Sequence, residues 1–194
     1  MRHIIYFSSS AVTSGKALSD GNLMRAGRID IAIHSFIQGV FLSHDFRKDL
    51  KFHFIFYGMP DPPKHIEIQV KDETVVSKKD VGTLLKKILY KHREGEKHEV
   101  FPGCFVEKKS LLKVAEELAE EGNEIFILDK NGEDIRKTEI SGNCVFILGD
   151  HEGLPKKELR RLKQIAKPVS VGDKMYFASQ TVAVVNNELD YRGI

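Results

Sequence analysis

Cysteine is scarce in this chain, and long apolar runs are absent. Cys104 and Cys144 are the only two cysteines in 194 residues, and they have no paired spacing. That argues against a disulfide framework or a zinc knuckle and for a reducing compartment. The opening MRHIIYFSSSAVTSG holds one apolar patch, of roughly five residues. This is too short for a signal-peptide core or for the ~20 residues of a membrane span. A cytoplasmic protein with no membrane segment and no metal is the expectation. Charge of one sign is also lacking: 30 Lys and Arg stand against 28 Asp and Glu, a net of +2. That leaves room for a local basic face without by itself announcing a nucleic-acid partner. No G-x-G-x-x-G follows an apolar run and no Walker lysine pattern occurs, so neither common nucleotide-phosphate signature is present.

What is present fits one globular domain over residues 1–194. Hydrophobic residues at 41% and charged residues at 30% are ordinary values that imply no long disordered tail. His3 to Ser8 has strand character, and Ser8 to Gly27 is a long Ser/Gly/Asn-rich loop of a kind that is more often functional than idle. Ile33, Phe36, Ile37, Val40 and Phe41 recur at helical spacing behind Asp30, a candidate cap. Lys51 to Tyr57 and Ile66 to Val70 alternate as strands around the turn Pro60 to Pro63. Ser77 to Asp80 resembles a capping box opening a helix whose apolar face is Val81, Leu84, Leu85, Ile88 and Leu89.

The second half is more regular. Ser110 to Glu121 predicts an amphipathic helix ended by Gly122. Glu124 to Leu128 and Cys144 to Leu148 are nearly continuous apolar runs, as in strands buried on both faces. Pro155 suits the first turn of a helix reaching about Ala166. Val169 and Ser170 make a short strand, the loop Val171 to Phe177 follows, and a last helix carries Val182, Val185 and Leu189. Alternating helices and apolar strands predict an open, mainly parallel α/β sheet with helices on both faces. In such sheets ligands bind where strands end, here after Leu128, Leu148 and Ser170. Gly149, Gly153 and Gly172 in those exits could let a backbone approach a ligand, although a plain loop would also use glycine.

FILGDHEGLP after a buried strand, followed by PVSVGDKMYFASQTVAVVNNELD, resembles the SPOUT methyltransferases, whose C-terminal segment threads a trefoil knot. The segments IIYFSSSA, AGRIDIAIHSFIQGVFLSHDFRKD and FIFYGMPDPPKHIEI resemble, within that superfamily, the archaeal tRNA pseudouridine N1-methyltransferases of the TrmY type. The resemblance covers essentially the whole chain. It implies a homodimer with two knotted pockets for S-adenosyl-L-methionine, and a T-loop pseudouridine of tRNA as substrate. One departure stands out. The family pattern opens the last helix with a Ser-His-Cys-like triplet, and this chain has Ser179, Gln180 and Thr181.

By that resemblance Leu128, Gly149, the stretch Ser170, Val171, Gly172, Asp173, Lys174, Met175 and Tyr176, and Thr181 would surround the cofactor. Pseudouridine N1 becomes nucleophilic once its proton leaves, so a positioned carboxylate suffices as base and no cysteine adduct is needed. Asp30 is the expected base with Arg28 beside it, and Asp45 and Arg47 are the expected substrate contacts. The same four residues also fit a capped, salt-bridged helix, and His44 fits a surface histidine. Lys86, Lys87, Lys91 and Arg93, and separately Lys156, Lys157, Arg160, Arg161 and Lys163, could track RNA phosphates or merely solvate helix faces. Ribosomal RNA as substrate, or RNA binding without methyl transfer, remain the alternatives.

Overall fold

In the first strand, β1 (Arg2–Ser8), Ile4 and Tyr6 join one hydrophobic core while Ile5 and Phe7 join another. Strand side chains alternate in direction, so a strand apolar on both faces belongs at the centre of a covered sheet. Parallel to β1 lie β2 (Leu50–Phe56) on one side and β7 (Cys144–Gly149) on the other. Beyond β7 come β6 (Glu124–Asp134) and β8 (Ala166–Ser170), also parallel. Beyond β2 come β3 (Lys64–Ile68), β5 (Cys104–Glu107) and β4 (His98–Phe101), each antiparallel to its neighbour. The sheet order is β4-β5-β3-β2-β1-β7-β6-β8. This computed structural model describes residues 1–18, 23–74 and 76–194, so residues 19–22 of the expected Ser/Gly loop lie outside the described residues.

Helices cover both faces. On one face α1 (Ile29–Val40), α2 (Val81–Tyr90) and α5 (Ala178–Arg192) pack on Phe52, Phe54, Phe56, Phe126 and Phe146. On the other, α3 (Leu111–Glu120) and α4 (Lys156–Ile165) pack on Ile5, Phe7, Val145 and Ile147. The expected α/β architecture is therefore observed. Among the described residues no helix is long and apolar enough to cross a membrane.

Local details differ from expectation. Asp30 is not the cap of α1: Arg28 holds that position in the left-handed region, φ 59°, with no side-chain cap bond. The helix expected from Ser77 begins at Val81, because the Ser77 hydroxyl bonds the Asp80 carboxylate and leaves the helix amides uncapped. Pro155 precedes α4 as its cap residue. The hairpin β4–β5 has no counterpart in the sequence reading. Ser110 does cap α3, accepting from Lys113 N at 3.3 Å.

Candidate active site

Because β1, β2, β6, β7 and β8 are parallel, their C-terminal ends share one edge, and the loops leaving them meet there. The loop after β1 is held from within. Ser8 Oγ accepts from Ala11 N at 3.1 Å, Val12 N donates to Ala26 O at 3.2 Å, and Gly58 N donates to Ala11 O at 3.0 Å. A Cβ on Gly58 would come within 2.3 Å of Ser10 O, so glycine lets the loop pass this close. The loop after β7 is tied to the loop after β1 by Asp150, a buried carboxylate. It accepts Ser9 N at 3.2 Å on one oxygen and Glu152 N at 2.9 Å on the other.

Between β6, the loop after β7 and the start of α5 lies a cleft of about 640 Å³. Leu128, Gly149, Met175, Tyr176 and Thr181 line it, with Asp129, Asp150 and Glu152. An adjoining recess of about 80 Å³ is lined by Ser170, Val171, Gly172 and Lys174 together with Leu128, Tyr176 and Thr181. The structure thus brings together every expected cofactor residue except Asp173, which lines neither space. Ser170 fixes the turn, its hydroxyl exchanging bonds with Gly172 O at 3.1 Å and Gly172 N at 3.2 Å. Gly172 sits at φ 139°, where a side chain would be strained. Thr181, at the position of the missing cysteine-like residue, donates to Phe177 O at 3.2 Å and keeps an acceptor lone pair free for a ligand.

The cleft fits S-adenosyl-L-methionine. Its volume is in the range of small-molecule sites. Leu128, Leu148 and Leu154 offer apolar walls for a flat heterocycle, and the acidic residues Asp129 and Glu152 in the lining suit a ligand with cationic groups. Asp129, Asp150 and Glu152 were not assigned from the sequence. The run GDHEG marks the loop that carries Asp150 and Glu152 but not which of its residues line the cleft.

Arg28 and Asp30 stand at the same strand-end edge, at the start of α1, and Ile31 one residue on lines the cleft. Arg28 Nε and Nη2 donate to the two Asp30 oxygens at 3.0 Å each. These bonds lower the Asp30 carboxyl below its usual range and raise the Arg28 guanidinium. Asp30 is therefore ionised at neutral pH. A non-glycine residue in the left-handed region is the kind of local strain that clusters at functional sites.

Asp45 and Arg47 are not brought to this pair. They precede β2, whose seven residues separate the two ends of the sheet by roughly 20 Å at strand rise. Asp45 accepts its neighbour Phe46 N at 2.8 Å, and Arg47 makes a two-bonded pair with Asp190. Their expected substrate role gains no support from this placement, and His44 beside them is exposed. The thiols of Cys104 and Cys144 are buried, which pushes them up to about 12 and about 11 and rules them out as ready nucleophiles. In the basic runs, Arg161 pairs with Glu116 at 2.7 Å and Lys91 lies 4.8 Å from the Phe101 ring centre.

Residues 1–194 match the profile of a family described as SAM-dependent RNA methyltransferases. The tRNA (pseudouridine(54)-N(1))-methyltransferase of Methanococcoides burtonii is 31% identical, over 98% of this chain and 96% of that protein. The protein of the same name from Methanocaldococcus jannaschii is 32% identical, over 100% and 98%. In fold, the chain resembles Archaeoglobus fulgidus Nep1, solved with S-adenosylhomocysteine, at a TM-score of 0.64 and 13% identity, covering 100% of this chain and 99% of that one. With a cofactor-sized cleft at the strand ends and a family match over its whole length, the chain belongs to the S-adenosylmethionine-dependent RNA methyltransferases.

Proposed function

We propose that this chain methylates N1 of a T-loop pseudouridine in tRNA, at position 54, the position named for the Methanococcoides and Methanocaldococcus relatives. The observation that carries this reading is the Arg28–Asp30 pair beside the cleft: an ionised carboxylate within the same loop edge as a cofactor-sized space. When bound, S-adenosylmethionine supplies an electrophilic methyl group. The chain's own residues do the rest. Leu128, Gly149, Ser170 to Gly172, Lys174 to Tyr176, and Thr181 hold the cofactor, with Asp173 in the turn between them. Asp30 accepts or orients the N1 proton, which must leave as the new N–C bond forms. Arg28 turns from Asp30 to a phosphate or base edge of the RNA, which frees the carboxylate for that task. The target base must be splayed from the T loop to reach the cleft.

The working unit in this reading is a cytoplasmic homodimer with a knotted C-terminal segment. Met175 and Phe177, 84% and 76% exposed at the rim of the cleft, support it, because a second copy would cover apolar side chains that otherwise face water. The knot is supported by the SPOUT resemblance and by the path from β8 at the sheet edge back to α5 against α1. The test is methyl transfer from labelled cofactor into tRNA transcripts carrying uridine or pseudouridine at the target position. Nucleoside mass spectrometry should find N1-methylpseudouridine only in the second. Transfer into ribosomal RNA alone, or none with cofactor bound, would refute the assignment.

A further inference from the structure

Away from the cleft, on the sheet face shared with Ile5, three histidines and two glutamates sit side by side. The register explains why. His53 on β2 is directly opposite Glu67 on β3, and His65 lies two residues before Glu67, so all three point to one face. His53, His65 and Glu67 are 1%, 3% and 8% exposed. His53 Nδ1 is 2.9 Å from His65 Nε2 and 4.0 Å from Glu67 Oε2, and the three candidate donor atoms lie within 4.8 Å of one another.

We propose that His53, His65 and Glu67 form a binding site for a divalent transition ion of the zinc class, separate from the methyl-transfer cleft. Two nitrogen donors and one carboxylate, with a fourth position for water, match the preferred donor set of such ions. The surroundings match as well. The far nitrogen of His65, Nδ1, donates to Glu107 Oε1 at 2.8 Å, and the far nitrogen of His53, Nε2, meets His3 Nδ1 at 3.0 Å. A carboxylate on the outer nitrogen of a ligating histidine fixes its ring and raises its basicity. Burial keeps His53 and His65 neutral, the form that binds metal.

Without the ion, a hydrogen bond joins the two rings, and ammonium groups balance the carboxylate. Lys97 Nζ is 2.7 Å from Glu67 Oε2, and Lys51 Nζ is 3.7 Å from Oε1. Both lysines are partly exposed, at 38% and 31% of their side chains, and can swing outward. An open recess of about 570 Å³ lies beside the cluster and is lined in part by Lys97 and Glu107, the partners of Glu67 and His65. Donor atoms around a tetrahedral ion lie roughly 3.3 Å apart, given bonds of about 2.0–2.1 Å. The two rings therefore open by roughly 0.4 Å and Glu67 closes on His53 by roughly 0.7 Å, while the proton between the rings shifts to His53 Nε2, where His3 Nδ1 accepts it.

The test uses the full chain, stripped with chelator and titrated with zinc by calorimetry and with cobalt by absorption spectroscopy. The expected result is one ion per chain and the intense visible bands of tetrahedral cobalt. His65→Gln and Glu67→Gln should abolish saturable binding. Glu107→Gln should weaken it about 10- to 100-fold, as expected when the partner of a ligating histidine is lost. Lys97→Met should tighten it, and this variant keeps the measurement open if a ligand variant fails to fold. No saturable zinc binding by the folded wild-type chain overturns the proposal and leaves a hydrogen-bonded histidine ladder. Binding unchanged in Lys97→Met and in every folded ligand variant overturns it equally, because the ion is then held elsewhere.

Discussion

Arg47 and Asp190 bind each other through two hydrogen bonds of 2.6 Å, and the same Asp190 carboxylate accepts Arg2 Nη1 at 2.7 Å. Asp190 therefore fastens the last helix to the first strand and to the segment before β2. Arg2, at 5% exposure, would lose most from its removal. Asp190→Ala should cost about 2 kcal/mol, below the ~3–5 expected for breaking a fully buried pair. Asp190 is partly exposed, and Arg2 keeps Asp49 at 3.2 Å and Ile194 O. Burial opposes the Asp190 charge, but the two guanidinium groups outweigh it and hold the carboxyl below its ordinary value. The contribution is thus complete above the unfolded carboxyl pKa of ~3.9 and disappears as pH falls through the lower folded value. Denaturant melts of both proteins at neutral pH and near pH 3 should show the gap narrowing in acid. A constant gap would show that the charge pair is not its source.

Gly149 ends β7 where the cleft begins. A Cβ there would lie 2.6 Å from the Gly153 carbonyl carbon and 2.8 Å from its oxygen, both backbone atoms that have little room to yield. Gly149→Val should therefore distort the turn through Asp150 and Glu152 and leave the central sheet folded. We expect at least a tenfold loss of S-adenosylhomocysteine affinity by calorimetry, with far-ultraviolet circular dichroism unchanged. Unaltered affinity would remove this turn from the cofactor site.

The strands and most helices are legible in the sequence because period carries the signal. EIFIL and CVFIL could only be strands buried on both faces, and the apolar spacing in α3 and α5 matches the packed faces. The hairpin β4–β5 is not legible: its strands have four residues each and carry His98, Glu99 and Glu107 among the apolar positions. The residues expected around the cofactor come from resemblance, and all but Asp173 line the cleft or its recess. Asp45 and Arg47 lie at the opposite end of α1 from Arg28 and Asp30, a separation that sequence proximity does not reveal. The His53, His65 and Glu67 cluster depends on strand register, which no local spacing reveals.

If pseudouridine N1 attacks without a protein adduct, neither cysteine takes part. Burial already raises Cys104 to about 12 and Cys144 to about 11, so almost no thiolate exists at neutral pH. The double change Cys104→Ala and Cys144→Ala should keep the single-turnover methylation rate within about twofold. Each removes a buried side chain, and stability should fall by about 1 kcal/mol per site. A rate loss far beyond this, in a protein that still folds and binds cofactor, would point to covalent catalysis.

Arg28 and Asp30 offer the sharpest test of the substrate site, because scaffold and catalytic roles give opposite patterns. As a scaffold, the pair joins two residues of one helix start, with the Arg28 side chain 41% exposed and the Asp30 side chain 22%. An exposed pair of this kind contributes little to stability, about 0–1 kcal/mol. Arg28 also holds a strained φ of 59°, which glycine adopts freely. Arg28→Gly should therefore melt no earlier than the wild type, yet bind RNA more weakly and with a shallower salt dependence, because a lost phosphate contact releases fewer counterions. Asp30→Asn keeps size and removes charge. It should leave RNA affinity nearly unchanged and reduce the single-turnover rate by about 10²-fold or more, the scale of a lost general base. Raising the pH should partly restore that rate as the N1 proton is lost to solvent instead. Melting temperature, RNA affinity at two salt concentrations and the rate at several pH values decide the matter. Early melting of both variants with normal turnover would make the pair a helix clamp and move the base elsewhere in the cleft.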